Sequence, residues 1–242
     1  MDSGFYAACA GLVARTQALD LAANNLANAS TPGYRAQRET FRALVAGRRA
    51  MQGLNLAVNS YGVMGDTRSD FNQGTLEKTG DQFDFAIEGK AFFAVQTSDG
   101  IRYTRDGNFR LRADRTLVTT SGDPVLGIQG PIRIPEGAFN ASTDGSLSVN
   151  GALAGRLRIV EFASEAELSP AGSGYYAAAA AAAQPARSSV VRQSMLESSN
   201  VQPVAAAVSL ITIQREAESM QKALSAFHNE FNRIAAEELP RV

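Results

Sequence analysis

The C-terminal stretch constrains this chain most: Ala206, Leu210, Ile213, Ala217, Met220, Leu224, Phe227, Phe231 and Ile234 are spaced alternately four and three apart. That spacing is the a/d pattern of a coiled-coil seam, which keeps one stripe of an α-helix turned toward one partner. Asn200 suits an N-cap, and Pro203 then falls in the first turn, where a missing N–H costs little. A helix from Val201 to about Glu238 would be roughly 57 Å long at 1.5 Å per residue. Val204, Val208 and Ile211 draw a second stripe, and a helix apolar on two faces wants two sets of neighbours.

A second helix is predicted at the other end. Phe5, Leu12, Leu19 and Leu26 recur every seven residues, with Cys9, Thr16 and Ala23 four places after the first three. Ala8, Ala10, Gly11, Ala14, Ala18 and Ala22 fill much of the remaining surface, so neighbouring helices could approach closely. The breakers Ser30-Thr31-Pro32-Gly33 end this helix between Asn28 and Gly33.

Between the helices the period changes to two, and Ser98-Asp99-Gly100, Asp106-Gly107, Ser121-Gly122-Asp123 and Asp144-Gly145 mark turns. Strands are predicted at Phe85 to Glu88, Ala91 to Thr97, Ile101 to Arg105, Asn108 to Arg112, Thr116 to Thr120, Ile132 to Ile134 and Arg156 to Phe162. Phe41 to Gly80 carries scattered glycines with weak periodicity and is read as a connecting arm. For Ala177 to Ala183, composition favours helix while Gly172, Gly174 and Pro185 oppose it, so both conformations stay open. The expected fold class is α+β: long N- and C-terminal helices forming a coiled-coil-like assembly domain around a central, mainly antiparallel β domain. The expected division is 1–35 with 200–242 for the helical domain, 36–80 for the arm and 81–199 for the β domain. The same stripes would also suit an intramolecular helical hairpin.

Charge and composition exclude several classes of function. With 23 Lys+Arg against 24 Asp+Glu there is no large positive field to hold nucleic acid or anionic lipid. One cysteine, Cys9, and one histidine, His228, make neither a disulfide nor a Cys/His zinc site. No apolar run approaches the roughly 20 residues that span a bilayer, so no stable membrane insertion is expected. Met1-Asp2-Ser3-Gly4 lacks the basic head of a cleavable secretory signal.

Specific strings go further than periodicity. Asn24-Asn25-Leu26-Ala27-Asn28-Ala29-Ser30-Thr31-Pro32-Gly33-Tyr34 resembles the signature of the flagellar basal-body rod and hook protein family. Thr79-Gly80 through Asp84-Phe85-Ala86-Ile87-Glu88-Gly89, with Phe92-Phe93 and Tyr103-Thr104-Arg105-Asp106-Gly107-Asn108-Phe109, resembles that family's β-domain core. Leu196-Glu197-Ser198-Ser199-Asn200-Val201, with Gln214-Arg215 further on, resembles its C-terminal helix. Ser30 to Gln37 and Gly130 to Gly137 look more like the proximal rod branch than the distal rod branch, with a distal rod or hook-basal body paralogue as the alternative, while Ala205-Ala206-Ala207 and Glu216 to Met220 depart from the family pattern.

The resemblance implies a structural subunit with no cofactor and no catalytic residues. Such a protein passes through the flagellar export apparatus without a cleavable signal. It then polymerises with copies of itself and with other rod proteins into the torque-transmitting shaft that crosses the periplasm. The implied assembly residues are Phe5, Leu12, Leu19, Leu26, Leu210, Ile213, Met220, Leu224, Phe227, Phe231 and Ile234. The motif residues are Asn24, Asn25, Leu26, Ala27, Asn28, Pro32, Gly33, Tyr34, Glu197, Ser199, Asn200 and Val201.

A rival reading from another class is a peptidoglycan-active enzyme using Asp81, Asp84 and Glu88, since paired carboxylates can cleave glycans. Against it, Asp81 follows Gly80 in a turn, and Asp84 and Glu88 share one strand parity, as on a solvated face. A self-contained binding module is the third reading.

Overall fold

The computed structural model describes residues 2–41 and 64–238. Residues 42–63 of the expected arm therefore lie outside the described residues. Helix α1 is Asp2–Ala27 and helix α2 is Pro203–Glu238. Alanine and leucine sustain α1 until Ser30-Thr31-Pro32-Gly33 stops it. The chain divides into two compact units: Met1–Ala27 with Gln37–Asp70 and Gln202–Val242, and Asn28–Ala36 with Phe71–Val201.

In the helical unit, Arg15 pairs with Glu216 at 3.0 Å, and Gly11 lies against Met220, whose Sδ would stand 3.2 Å from a Cβ placed on the glycine. The helices therefore run antiparallel. Strands β1 (Gln37–Phe41) and β2 (Met64–Ser69) form a two-stranded antiparallel ribbon in the same unit.

These observations correct the expected fold class. Among the described residues there are two helices in an otherwise mainly β chain, and no long coiled coil of N- and C-terminal helices is shown. A heptad stripe records which face needs cover, not how much cover it receives. The most buried side chains of α1 are Ala18 and Ala22, at 8% and 9% exposure, while Thr16 and Ala23 of the expected stripe are exposed. Small residues allow close approach but supply no knobs. On α2 Ala217 is buried, Leu210, Ile213, Met220 and Leu224 are half-buried, and Phe227 is 68% exposed. Asn200 does not cap α2, which starts three residues later.

The β unit contains β3 (Leu76–Lys78), β4 (Phe85–Glu88), β5 (Phe92–Thr97), β6 (Gly100–Thr104), β7 (Phe109–Leu111), β8 (Leu117–Thr119), β9 (Leu126–Gly127) and β10 (Gly130–Pro131). It continues through β11 (Phe139–Ala141), β12 (Ser146–Val149), β13 (Ala152–Arg156), β14 (Ile159–Glu161), β15 (Ser169–Pro170) and β16 (Tyr175–Ala177). Last come β17 (Gln184–Pro185), β18 (Val190–Gln193) and β19 (Met195–Glu197). All pairings are antiparallel, and the largest sheet has the order β15-β16-β6-β5-β14-β17.

Strand β5 shows why this unit is closed. Its alternate residues enter two different cores: Phe93 and Val95 pack with Phe85, Phe109, Leu117 and Leu157, while Phe92 and Ala94 pack with Tyr103, Val160 and Tyr176. A strand covered on both faces reads as a continuous apolar run, as Ala91-Phe92-Phe93-Ala94-Val95 does. Ile132 and Ile134 sit in the first core although the expected strand there is only a bridge between Thr116 and Arg133. The alanine run starts in β16 and then makes a single 3-10 turn, Ala180–Ala182. Both outer strands of the large sheet end in proline, Pro170 and Pro185, which cannot donate to an added strand. No described helix is long and apolar enough to cross a membrane.

Candidate functional site

The motif segments from the start, middle and end of the sequence converge in the β unit on one buried carboxylate. Glu197, at the end of β19, is 1% exposed. Its Oε1 lies 2.5 Å from Nη2 of Arg35 and accepts the Gly74 N–H at 2.9 Å, and its Oε2 lies 3.4 Å from Nε of Arg105. Arg105 also donates to the carbonyls of Gly89 and Ala91, and its guanidinium lies 5.3 Å from the centre of the Phe92 ring. Burial pulls the Arg105 pKa down to about 10; Glu197 opposes that shift and Arg35 reinforces it.

Backbone bonds tie the same segments together. The Gly33 N–H donates to the Glu197 carbonyl at 2.7 Å, and the Asn200 N–H to the Tyr34 carbonyl at 3.4 Å. The Asn200 side chain accepts the Ala36 N–H at 2.7 Å and donates to the Asn72 carbonyl at 3.0 Å. This explains why it is not spent on capping. Ser199 accepts the Val201 N–H at 3.2 Å, and Val201 is buried. Thr31 donates through its hydroxyl to Asn28 at 3.1 Å, which shapes the turn containing half-buried Pro32.

Gly33 has φ of +67°, and a Cβ there would stand 2.3 Å from the Asp106 nitrogen. Gly74 passes so close to Ser198 that a Cβ would meet its carbonyl oxygen at 2.0 Å. Only glycine fits either position. Burial raises the Tyr34 pKa, with Tyr176 adding to the effect. In the helical unit, Asn25 grips Gln37 at both backbone groups, donating to its carbonyl and accepting its N–H, each at 2.8 Å. Asn24 and Ala27 are exposed and Leu26 is half-buried.

Of the assembly residues, Leu12 and Leu19 are half-buried on α1, and the side chains of Phe5, Phe231 and Ile234 lie outside the described residues. The three carboxylates of the enzyme reading are dispersed in role. Asp81 accepts the Phe83 N–H at 2.9 Å, and Glu88 takes two bonds from Arg192, at 3.0 and 2.8 Å. Asp84 corrects the expected solvated face, being only 6% exposed where it bridges to Asn108 just before β4 begins. Its neighbour Asp106 has its pKa pushed up to about 6, chiefly by burial and then by the Asp84 charge, against the Asn108 N–H bond.

Periodicity did not single out Arg35 or Arg105. Both lie inside the strings that carry the resemblance, and an arginine directly after a strand and just before an Asp-Gly turn is the signal that could have found the second.

The comparisons follow the same order along the chain. A family described as flagella basal body rod protein matches residues 5–35, the flagellar hook protein FlgE/F/G D1 domain matches 86–152, and the flagellar basal body rod FlgEFG protein C-terminal matches 192–235. The flagellar basal-body rod protein FlgF of Caulobacter vibrioides is 35% identical over the whole of both chains. FlgF of Salmonella typhimurium is 32% identical, covering 93% of this chain and 94% of its own. FlgG of Bacillus subtilis is also 32% identical, covering 93% and 95%. The chain belongs to the flagellar basal-body rod protein family.

Proposed function

We propose that this chain is a structural subunit of the bacterial flagellar basal-body rod, of the FlgF kind, which bears torque and catalyses nothing. The observation that carries the reading is the agreement between the family matches and the employment of the motif residues. Gly33, Tyr34, Glu197 and Asn200 are spent on bonds that tie chain segments together. Asp81 and Glu88 are spent on a turn and an ion pair.

The subunit joins other rod subunits in the basal body, as its relatives' names suggest, and reaches it through the flagellar export apparatus, as the resemblance of its motif strings implies. Its contact with them runs along α2, where Val204, Val208 and Phe227 are 79%, 60% and 68% exposed beside the half-covered Leu210, Ile213, Met220 and Leu224. Burying that apolar surface at about 25 cal/mol per Å² would drive association. Deleting the gene and restoring it with an epitope tag tests the reading. Loss of swimming on deletion, and recovery of the tagged chain in isolated basal bodies, is expected. Full motility without the gene, or a tag absent from basal bodies of motile cells, would refute it.

A further inference from the structure

The cluster around Glu197 is unbalanced: two buried guanidiniums, Arg35 and Arg105, share one carboxylate. The side chains of Arg35 and Glu197 are wholly buried, and Nε, Nη1 and Nη2 of Arg35 all lack a hydrogen-bond partner. Arg105 is better held: Nη1 and Nη2 donate to two backbone carbonyls and the guanidinium lies over an aromatic face, leaving only Nε without a hydrogen bond. We infer that residues 28–36 form a reversible strap on the β unit, latched by Glu197 and strained by the surplus charge of Arg35.

The two halves of this inference rest on different contacts. The latch is Glu197, which engages the strap through its carboxylate at Arg35 and its carbonyl at Gly33, while Asn200 holds Ala36. The strain is the cost of burying a second cation beside the first. A buried ion is repaid only when its geometry is good and its remaining donors are satisfied, and Arg35 meets neither condition: Nη2 reaches Glu197 as an ion pair without hydrogen-bond geometry, and Nε and Nη1 have no hydrogen-bond partner. Removing Glu197 leaves two buried cations facing each other. Removing the Arg35 charge leaves a balanced Arg105–Glu197 pair and keeps the backbone bonds at Gly33 and Ala36. The two substitutions therefore act in opposite directions on the same strap. The inference does not depend on the flagellar reading, because it concerns one unit of the isolated chain.

Hydrogen exchange of the full-length protein tests it, read at the Gly33 and Ala36 amides, with Val95 and Leu117 in the β core as internal controls. In Glu197→Gln, protection at the strap amides falls by roughly 100-fold or more, the loss expected on removing one partner of a buried pair. In Arg35→Met it stays at the wild-type level or rises. Equal losses in both variants would overturn the proposal, because Arg35 would then be an anchor rather than a strain. No change in either would overturn it too, since backbone bonds alone would hold the strap. Should Glu197→Gln lose protection in the core controls as well, Arg35→Met decides: weaker strap protection than wild type refutes the strained strap, and equal or stronger protection supports it.

Discussion

Strand β5 and helix α2 are both written as apolar stripes, yet they end in opposite environments. Every residue from Phe92 to Val95 is 5% exposed or less, because the two faces of the strand enter two cores. On α2, Ala217 is the one buried residue of the stripe among the described side chains, and Phe227, Val204 and Val208 face outward. The difference teaches that periodicity identifies a face that seeks cover, whereas closure depends on how many elements converge on it. Among the described residues, seventeen antiparallel-paired strands supply that convergence within one unit and a single helix of small residues does not in the other.

This contrast can be broken or sharpened by substitution. Phe93→Ala should be the most damaging, costing about 3–5 kcal/mol, since the ring is fully buried and meets Phe109 edge-on at 5.1 Å. Urea unfolding followed by circular dichroism would show it, and a cost below about 1 kcal/mol would mean the core is not closed there. Gly33→Ala should cost about 2–3 kcal/mol, combining a positive φ with a backbone clash against Asp106.

Asp106→Asn should stabilise. A carboxyl whose folded pKa is raised to about 6 binds its proton more tightly in the native state than in the unfolded one. Its contribution is therefore favourable below the ordinary carboxylate pKa and becomes a penalty as pH rises through about 6. The variant should gain about 2 kcal/mol at pH 7.5 and nothing near pH 4, because asparagine keeps an oxygen for the Asn108 N–H. A gain of the same size at both pH values would remove the electrostatic explanation. Phe227→Ala should change the unfolding free energy least, by under about 0.5 kcal/mol, because its ring already faces outward.

The sequence was most legible where one element decides its own form. Strand β4 matches its expected bounds, Phe85 to Glu88, and α1 ends at Ala27 just before the breakers. It was least legible where distant segments meet. The short strands β3, β18 and β19 carry no clear alternation of their own and exist because β18 pairs with β4 and β19 with β3. The coiled-coil expectation failed for the related reason that a stripe such as Leu210, Ile213 and Met220 does not name its partner. Asp84 was misread because parity was carried one residue beyond the strand, into the bridge to Asn108. The Glu197 cluster was present in the sequence as three separate strings, and only folding shows that they share one carboxylate.

The most direct test of the account is Phe227→Asp introduced in place of the natural gene, with swimming and the content of isolated basal bodies measured together. The exposed site predicts an isolated protein as stable as wild type that is missing from basal bodies in cells that do not swim. A folded Phe227→Asp protein that enters basal bodies and supports normal swimming would contradict the account.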